Sequence, residues 1–201
     1  MSVDGVPSVD APVDDDTAAD APGLGSLGPL VARFDETADR WLETIRGTPS
    51  VDRVFVTASH VAEFSLVWHA ISLGRGVIRN EPRRVVALAA GIAIESLVVN
   101  QGLKRLVGRS RPTSSGDERL TVRAPLTSSF PSGHASAAAF ASTVLSDRDG
   151  PALSTMWYGL GAVVAVSRAY VRIHHASDVV GGLVAGRLLG LAARPLVRRL
   201  G

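Results

Sequence analysis

The chain has 201 residues, enough for one domain of ordinary size, and no cysteine, which excludes a disulfide framework, a thiol nucleophile and a thiolate-bound metal. Its formal net charge is only +2, yet acidic residues crowd the first 43 positions and arginine dominates from Arg75 onward. These arginines stand at the ends of apolar runs with few aromatic residues between them, a pattern that fits a membrane boundary and an anionic substrate and not nucleic acid.

Residues 1–28 are rich in Asp, Pro, Gly and Ala (Asp14-Asp15-Asp16, Pro7, Pro12, Pro22) and have no apolar periodicity. Without a basic start followed by an apolar core they do not read as a signal peptide, and a disordered acidic tail is expected. From Pro29 to Arg46 the apolar residues Leu30, Val31, Phe34, Ala38, Trp41, Leu42 and Ile45 recur near helical spacing, with Asp35, Glu36, Asp39, Arg40 and Glu43 between them. That is too charged to cross a bilayer, and it predicts an amphipathic helix lying at the interface with Trp41 at headgroup depth.

Mean hydropathy is +0.21 although the first fifty residues are strongly polar, so the remainder is greasier than that average. Five apolar segments follow, over Val54–Leu73, Arg84–Leu103, Ser132–Leu145, Ala152–Val166 and Val179–Val197. With a few flanking residues each approaches the ~20 a spanning helix needs. The fold class expected is therefore all-α: an integral-membrane bundle of about five spanning helices over residues 29–201, with the interfacial helix at its N-terminal side. Glu63 and Glu95 within these segments are expected to face the bundle interior, joining helices or relaying protons. Gly182, Gly186 and Gly190, at four-residue intervals, mark a face that another helix approaches closely.

Three polar clusters interrupt the apolar runs. In the first, Lys104 and Arg111 are seven residues apart, two helical turns, before Pro112 ends the helix; two cations on one side suit a phosphate. The second is Ser128-Ser129-Phe130-Pro131-Ser132-Gly133-His134, where a helix start offers free backbone N–H groups to an anion and His134 adds a titratable proton donor. In the third, His174 and Asp178 are four apart, which stacks them on one helical face so that the carboxylate can set the imidazole tautomer. Asp178 also reads as a helix N-cap, and His175 as a neighbour that lacks a carboxylate at the same offset.

Lys104 with six residues before Arg111-Pro112, then Pro131-Ser132-Gly133-His134, then Ser167-Arg168 with five residues to His174 and three more to Asp178, resembles the three-part signature of the type 2 phosphatidic acid phosphatases, shared with vanadium-dependent haloperoxidases and several bacterial acid phosphatases. The resemblance runs from about Val54 to the C-terminus. It implies a membrane lipid phosphate phosphohydrolase in which His174 attacks phosphorus, Asp178 orients it, His134 protonates the leaving oxygen, and Lys104, Arg111, Arg168, Ser132 and the Gly133 N–H hold the phosphate. His175-Ala176 stands where relatives often carry an aromatic residue and Pro, a departure that bears on lipid preference. No carboxylate cluster resembles a two-metal site, so no metal or other cofactor is expected.

The expected substrate is a polyprenyl phosphate or diphosphate, or a phosphatidic-acid-like lipid; a homo-oligomer is allowed. The loop 104–131 and the turn 167–178 are separated by two helices and so emerge on one face. Arg75, Arg79, Arg83, Arg84, Arg194, Arg198 and Arg199 lie on the other, which the positive-inside rule makes cytoplasmic. A plasma-membrane protein with an extracytoplasmic site follows. The alternative readings are a vanadate-loaded, haloperoxidase-like oxidoreductase and a catalytically silent scaffold.

Overall fold

The computed structural model describes residues 27–112, 120, 122 and 127–199, and the acidic tail expected over 1–28 falls almost wholly outside them. Helix α1 spans Pro29–Glu43 and α2 Pro49–Val61, each opened by a proline in its first turn, where the missing N–H costs nothing. After a 3₁₀ turn at Glu63–Ser65 comes α3, Leu66–Arg79. Helix α4, Pro82–Leu97, passes through a π-helical stretch at Val98–Leu103 into the short α5, Lys104–Leu106. Then follow α6 (Gly133–Leu145), α7 (Pro151–Tyr170) and α8 (Ala176–Arg199).

Helix α6 is the hub. Every residue from Ala135 to Leu145 is buried, as expected of a helix that is apolar on all sides, and α3, α4, α7 and α8 pack around it. Its alanines and serines present a thin surface, and the Gly182, Gly186 and Gly190 stripe of α8 lies directly on it. A Cβ at Gly182 would come 2.4 Å from the Ser132 carbonyl oxygen, and one at Gly186 1.9 Å from that of Ser136. The stripe is thus a packing surface, as its spacing predicts.

Among the described residues, two helices are long and apolar enough to cross a membrane, Pro82–Leu106 and Ala176–Arg199. A third arises if α2 and the Glu63–Arg79 segment count together, but that pair is bent by 65°. The sequence predicts about five spans, with Val54–Leu73 as one of them; that segment is two helices. The break sits at Phe64 and Ser65, whose φ of 50° and 58° lie in the left-handed region and end the regular helix. Helix α6, only 13 residues long, is enclosed by its neighbours.

The interfacial helix also differs in detail from expectation. Leu30, Phe34 and Trp41 of α1 point outward, as a membrane-lying helix requires, but Asp35 on its other side is 7% exposed. Asp35 alone therefore docks onto protein, while Glu36, Asp39, Arg40 and Glu43 stay exposed.

At the end of the bundle where α3 gives way to α4 and α6 to α7, Asp149 accepts from Arg75 Nη1 and Nη2 at 2.5 and 2.9 Å, pairs with Arg79 at 3.1 Å, and accepts from Trp157 Nε1 at 2.7 Å. Asp147 pairs with Arg194 and Arg198 of α8 at 3.3 and 2.7 Å. Two acidic residues so gather four of the arginines of this end, Arg75, Arg79, Arg194 and Arg198. Asp149→Ala strands Arg75 with its side chain 16% exposed, and should cost about 2 kcal/mol, below the range for a fully buried pair because water reaches the arginines. Thermal unfolding in detergent, compared with Asp149→Asn, measures it.

Candidate active site

The three polar clusters meet at the opposite end. Their approach follows the chain path: α4 runs towards this end and α6 starts there, while α7 ends and α8 begins there. The helix carrying Lys104 stops at Leu106, and Val107 is extended (φ −127°, ψ 97°), so Arg111 arrives by a loop and not by two further helical turns as its spacing suggests. The two cations still converge. Lys104 Nζ donates to Thr127 Oγ1 at 3.3 Å and Arg111 Nη2 to the Thr127 carbonyl at 3.1 Å.

Ser132 is the N-cap of α6, its Oγ accepting from the Ala135 N–H at 3.4 Å, and Pro131 precedes the cap. Gly133 opens the helix beside Asn100, whose Oδ1 would lie 3.1 Å from a Cβ there. His134 follows, with a buried Nε2 that has no hydrogen-bond partner among the described residues.

His174 and Asp178 are not stacked along one helix. His174 lies in the turn before α8, and Asp178 occupies the third helical position, where its Oδ2 accepts from the His175 N–H at 2.8 Å. That is the reciprocal half of a capping box; Asp178 is not the N-cap itself. Its Oδ2 is 3.6 Å from His174 Nδ1, slightly beyond hydrogen-bond reach, and Ser129 Oγ fills the interval, donating to Asp178 at 2.5 Å and standing 3.4 Å from Nδ1. Arg109 Nη1 donates to Asp178 Oδ1 at 2.6 Å.

On its other side, His174 Nε2 lies 3.3 Å from Arg111 Nη1, which also donates to the Ile173 carbonyl at 2.7 Å. A guanidinium only donates, so Nε2 carries the lone pair and Nδ1 the proton, facing Ser129 and Asp178. Burial pulls the His174 pKa down to about 4, the nearby Asp178 carboxylate opposing it and the Arg111 charge reinforcing it. A depressed pKa keeps the imidazole neutral at pH 7, and protonation waits until pH falls towards 4. In ¹⁵N-histidine-labelled protein, the resonances that vanish in His174→Ala should still report a neutral ring at pH 5.5; a protonated ring there contradicts the geometry.

A cavity of about 780 Å³ opens in front of His174. Lys104, Arg168, Gly133, His134 and His174 line it, together with Glu63, Glu95, Asn100 and Gln101. Arg168 is held by Ser59 of α2, its Nη1 donating to that residue's carbonyl oxygen at 3.2 Å and to its Oγ. Glu95 accepts from Ser136 Oγ and so joins α4 to α6. Ser132 and Asp178 are fully buried behind this wall, and the His175 ring lies beside Arg109 and the Ser110 backbone instead of in the cavity. Sequence reasoning missed Arg109, Ser129 and Asp35. Arg109 and Ser129 lie inside quoted clusters, but nothing local distinguishes them from their neighbours.

Residues 84–201 match the PAP2 superfamily. Decaprenylphosphoryl-5-phosphoribose phosphatase of Mycolicibacterium smegmatis is 33% identical over 144 residues, 69% of this chain and 74% of that protein. The Mycobacterium tuberculosis protein of the same name is 29% identical over 168 residues, covering 83% and 87%. Among solved structures, the transmembrane PAP2 type phosphatidylglycerolphosphate phosphatase of Bacillus subtilis superposes with a TM-score of 0.65 at 26% identity, covering 87% of this chain and 90% of its own. LpxE of Aquifex aeolicus shares the fold, with a TM-score of 0.63 at 24% identity over 77% and 91%.

Proposed function

This chain belongs to the PAP2 superfamily, as a membrane lipid phosphatase, and from that premise we propose that it hydrolyses a polyprenyl-linked phosphate monoester through a phosphohistidine at His174. The observation that carries the reading is the pose of His174: a neutral ring with its Nε2 lone pair beside Arg111, at the wall of a cavity that Lys104, Arg168 and His134 share.

In the first step the phosphate sits against Lys104, Arg111, Arg168 and the Gly133 N–H at the start of α6. Three cations and a helix N-terminus neutralise its equatorial oxygens. Nε2 attacks phosphorus, the N–P bond forms as the P–O bond to the lipid breaks, and His134, protonated once the bound phosphate dianion offsets the surrounding cations, gives that proton to the departing oxygen. Asp178 and Ser129 hold the Nδ1 proton as charge grows on the ring. In the second step water attacks the phosphohistidine, His134 takes a proton from that water, and inorganic phosphate leaves with Nε2 restored.

Glu63, Asn100 and Gln101 add hydrogen-bonding groups to the same cavity, which suits a hydroxyl-bearing headgroup such as a phosphosugar. The relatives named for decaprenylphosphoryl-5-phosphoribose point the same way. The arginine-rich end would face the cytoplasm of the plasma membrane and the cavity the opposite side. Phosphate release by purified protein across polyprenylphosphoryl phosphoribose, polyprenyl phosphate, polyprenyl diphosphate and phosphatidic acid tests the reading. The phosphosugar lipid is expected to be turned over fastest, undiminished by EDTA and inhibited by vanadate. Loss of turnover with EDTA, or a clear preference for phosphatidic acid, would overturn the corresponding part.

A further inference from the structure

Helix α1 lies outside the stretch matched to the family, which begins at residue 84, yet it reaches the site. Asp35, 7% exposed, accepts from Arg109 Nη2 at 2.6 Å through Oδ2. The other nitrogen of the same guanidinium, Nη1, donates to Asp178 Oδ1 at 2.6 Å and to Ser177 Oγ at 2.7 Å. Asp35 also accepts from the Ser177 N–H at 2.7 Å and the Ser177 Oγ at 2.8 Å, so it grips the first turn of α8 directly. Arg109 is itself 7% exposed and Asp178 is fully buried.

We propose that Asp35 is a positioning residue for the phosphoryl-transfer reaction, acting through Arg109 to set the strength and orientation of the Asp178 carboxylate that supports His174. This rests on the reading of His174 as the nucleophile.

The physical argument is one of shared charge. A buried arginine between two carboxylates divides its attraction between them. With Asp35 ionised, Arg109 is neutralised from one side and Asp178 keeps enough negative charge to stabilise the proton on Nδ1 as the ring is phosphorylated. Without Asp35, the undivided guanidinium charge falls on Asp178 and weakens its support for the imidazolium in the transition state. Substrate binding, made by Lys104, Arg111 and Arg168, is untouched. The effect therefore belongs in kcat and not in KM. A second consequence is positional: since α1 carries Leu30, Phe34 and Trp41 outward, the same residue ties the carboxylate's geometry to a helix with an apolar outer face.

The test is a double-mutant cycle in detergent-solubilised full-length protein, read by phosphate release and by thermal unfolding. Asp35→Asn should lower kcat roughly 10- to 100-fold with KM within about twofold of wild type, and Asp35→Glu should recover part of the loss. In an Arg109→Gln background, Asp35→Asn should cost little more. Arg46→Gln is the control for loosening of α1, because Arg46 anchors to the Tyr170 and Ala169 carbonyls at 3.0 and 3.1 Å without touching Arg109. The proposal is overturned if Asp35→Asn leaves kcat unchanged, if its cost in the Arg109→Gln background equals that in wild type, or if Arg46→Gln produces the same kcat loss. Wild-type protein that releases no phosphate would instead defeat the underlying reading.

Discussion

His174→Ala is expected to reduce phosphate release by roughly 10⁴-fold or more, because in the proposed mechanism it removes the group that forms the covalent bond and leaves only positioning and charge neutralisation behind. The three cations and the α6 N-terminus would still bind substrate, so KM should change far less than kcat. Brief reaction with ³²P-labelled lipid, followed by alkaline quench, should leave label on the wild-type protein and none on the variant. His175→Ala supplies the internal control: its ring lies outside the cavity beside Arg109, and most activity should survive. Label that persists in His174→Ala, or is acid-stable as a serine ester would be, sinks the assignment.

The largest effect on stability should come from the contact between α6 and α8. Gly186→Ala adds one methyl group, yet that carbon would lie 1.9 Å from the Ser136 carbonyl oxygen, 2.6 Å from its carbon and 2.8 Å from its Cα. The obstacle is backbone, which cannot rotate away, and it belongs to the fully buried central helix. Separating the helices would also drag Ser136 from Glu95 and shift the turn that carries Ser132 and Gly133. A cost of about 3 kcal/mol or more follows, at or above the upper end for overpacked cores. Gly159→Ala on α7 meets nothing within 4 Å and should be neutral or slightly stabilising. Thermal unfolding of the two variants in the same detergent decides it; a Gly186→Ala protein that melts like wild type would contradict the close approach.

Much of the architecture was legible along the chain. Proline openings, apolar runs and a four-residue glycine interval are local properties, and helices obey them because 3.6-residue periodicity and capping depend on near neighbours. The bend at Phe64 and Ser65 was not legible, since neither residue is a usual helix breaker. Left-handed backbone there costs energy that the surrounding packing repays, and packing is not a local property. The same limit applies to α6, which reads along the chain as a short apolar segment while its burial on every side belongs to its neighbours.

The sequence alone singled out Lys104, Arg111, His134, Arg168, His174 and Asp178 as candidates for phosphoryl chemistry, because their order and spacing resemble the family's three-part signature. Only the tertiary structure decided how those residues are supported. Arg109 bonds to Asp178 across 69 positions and to Asp35 across 74, and Ser129 reaches Asp178 across 49. Periodicity tells which side of its own helix a residue occupies. It says nothing of a partner brought near by the folding of distant helices, and a buried charge is held by whichever partner the fold puts beside it.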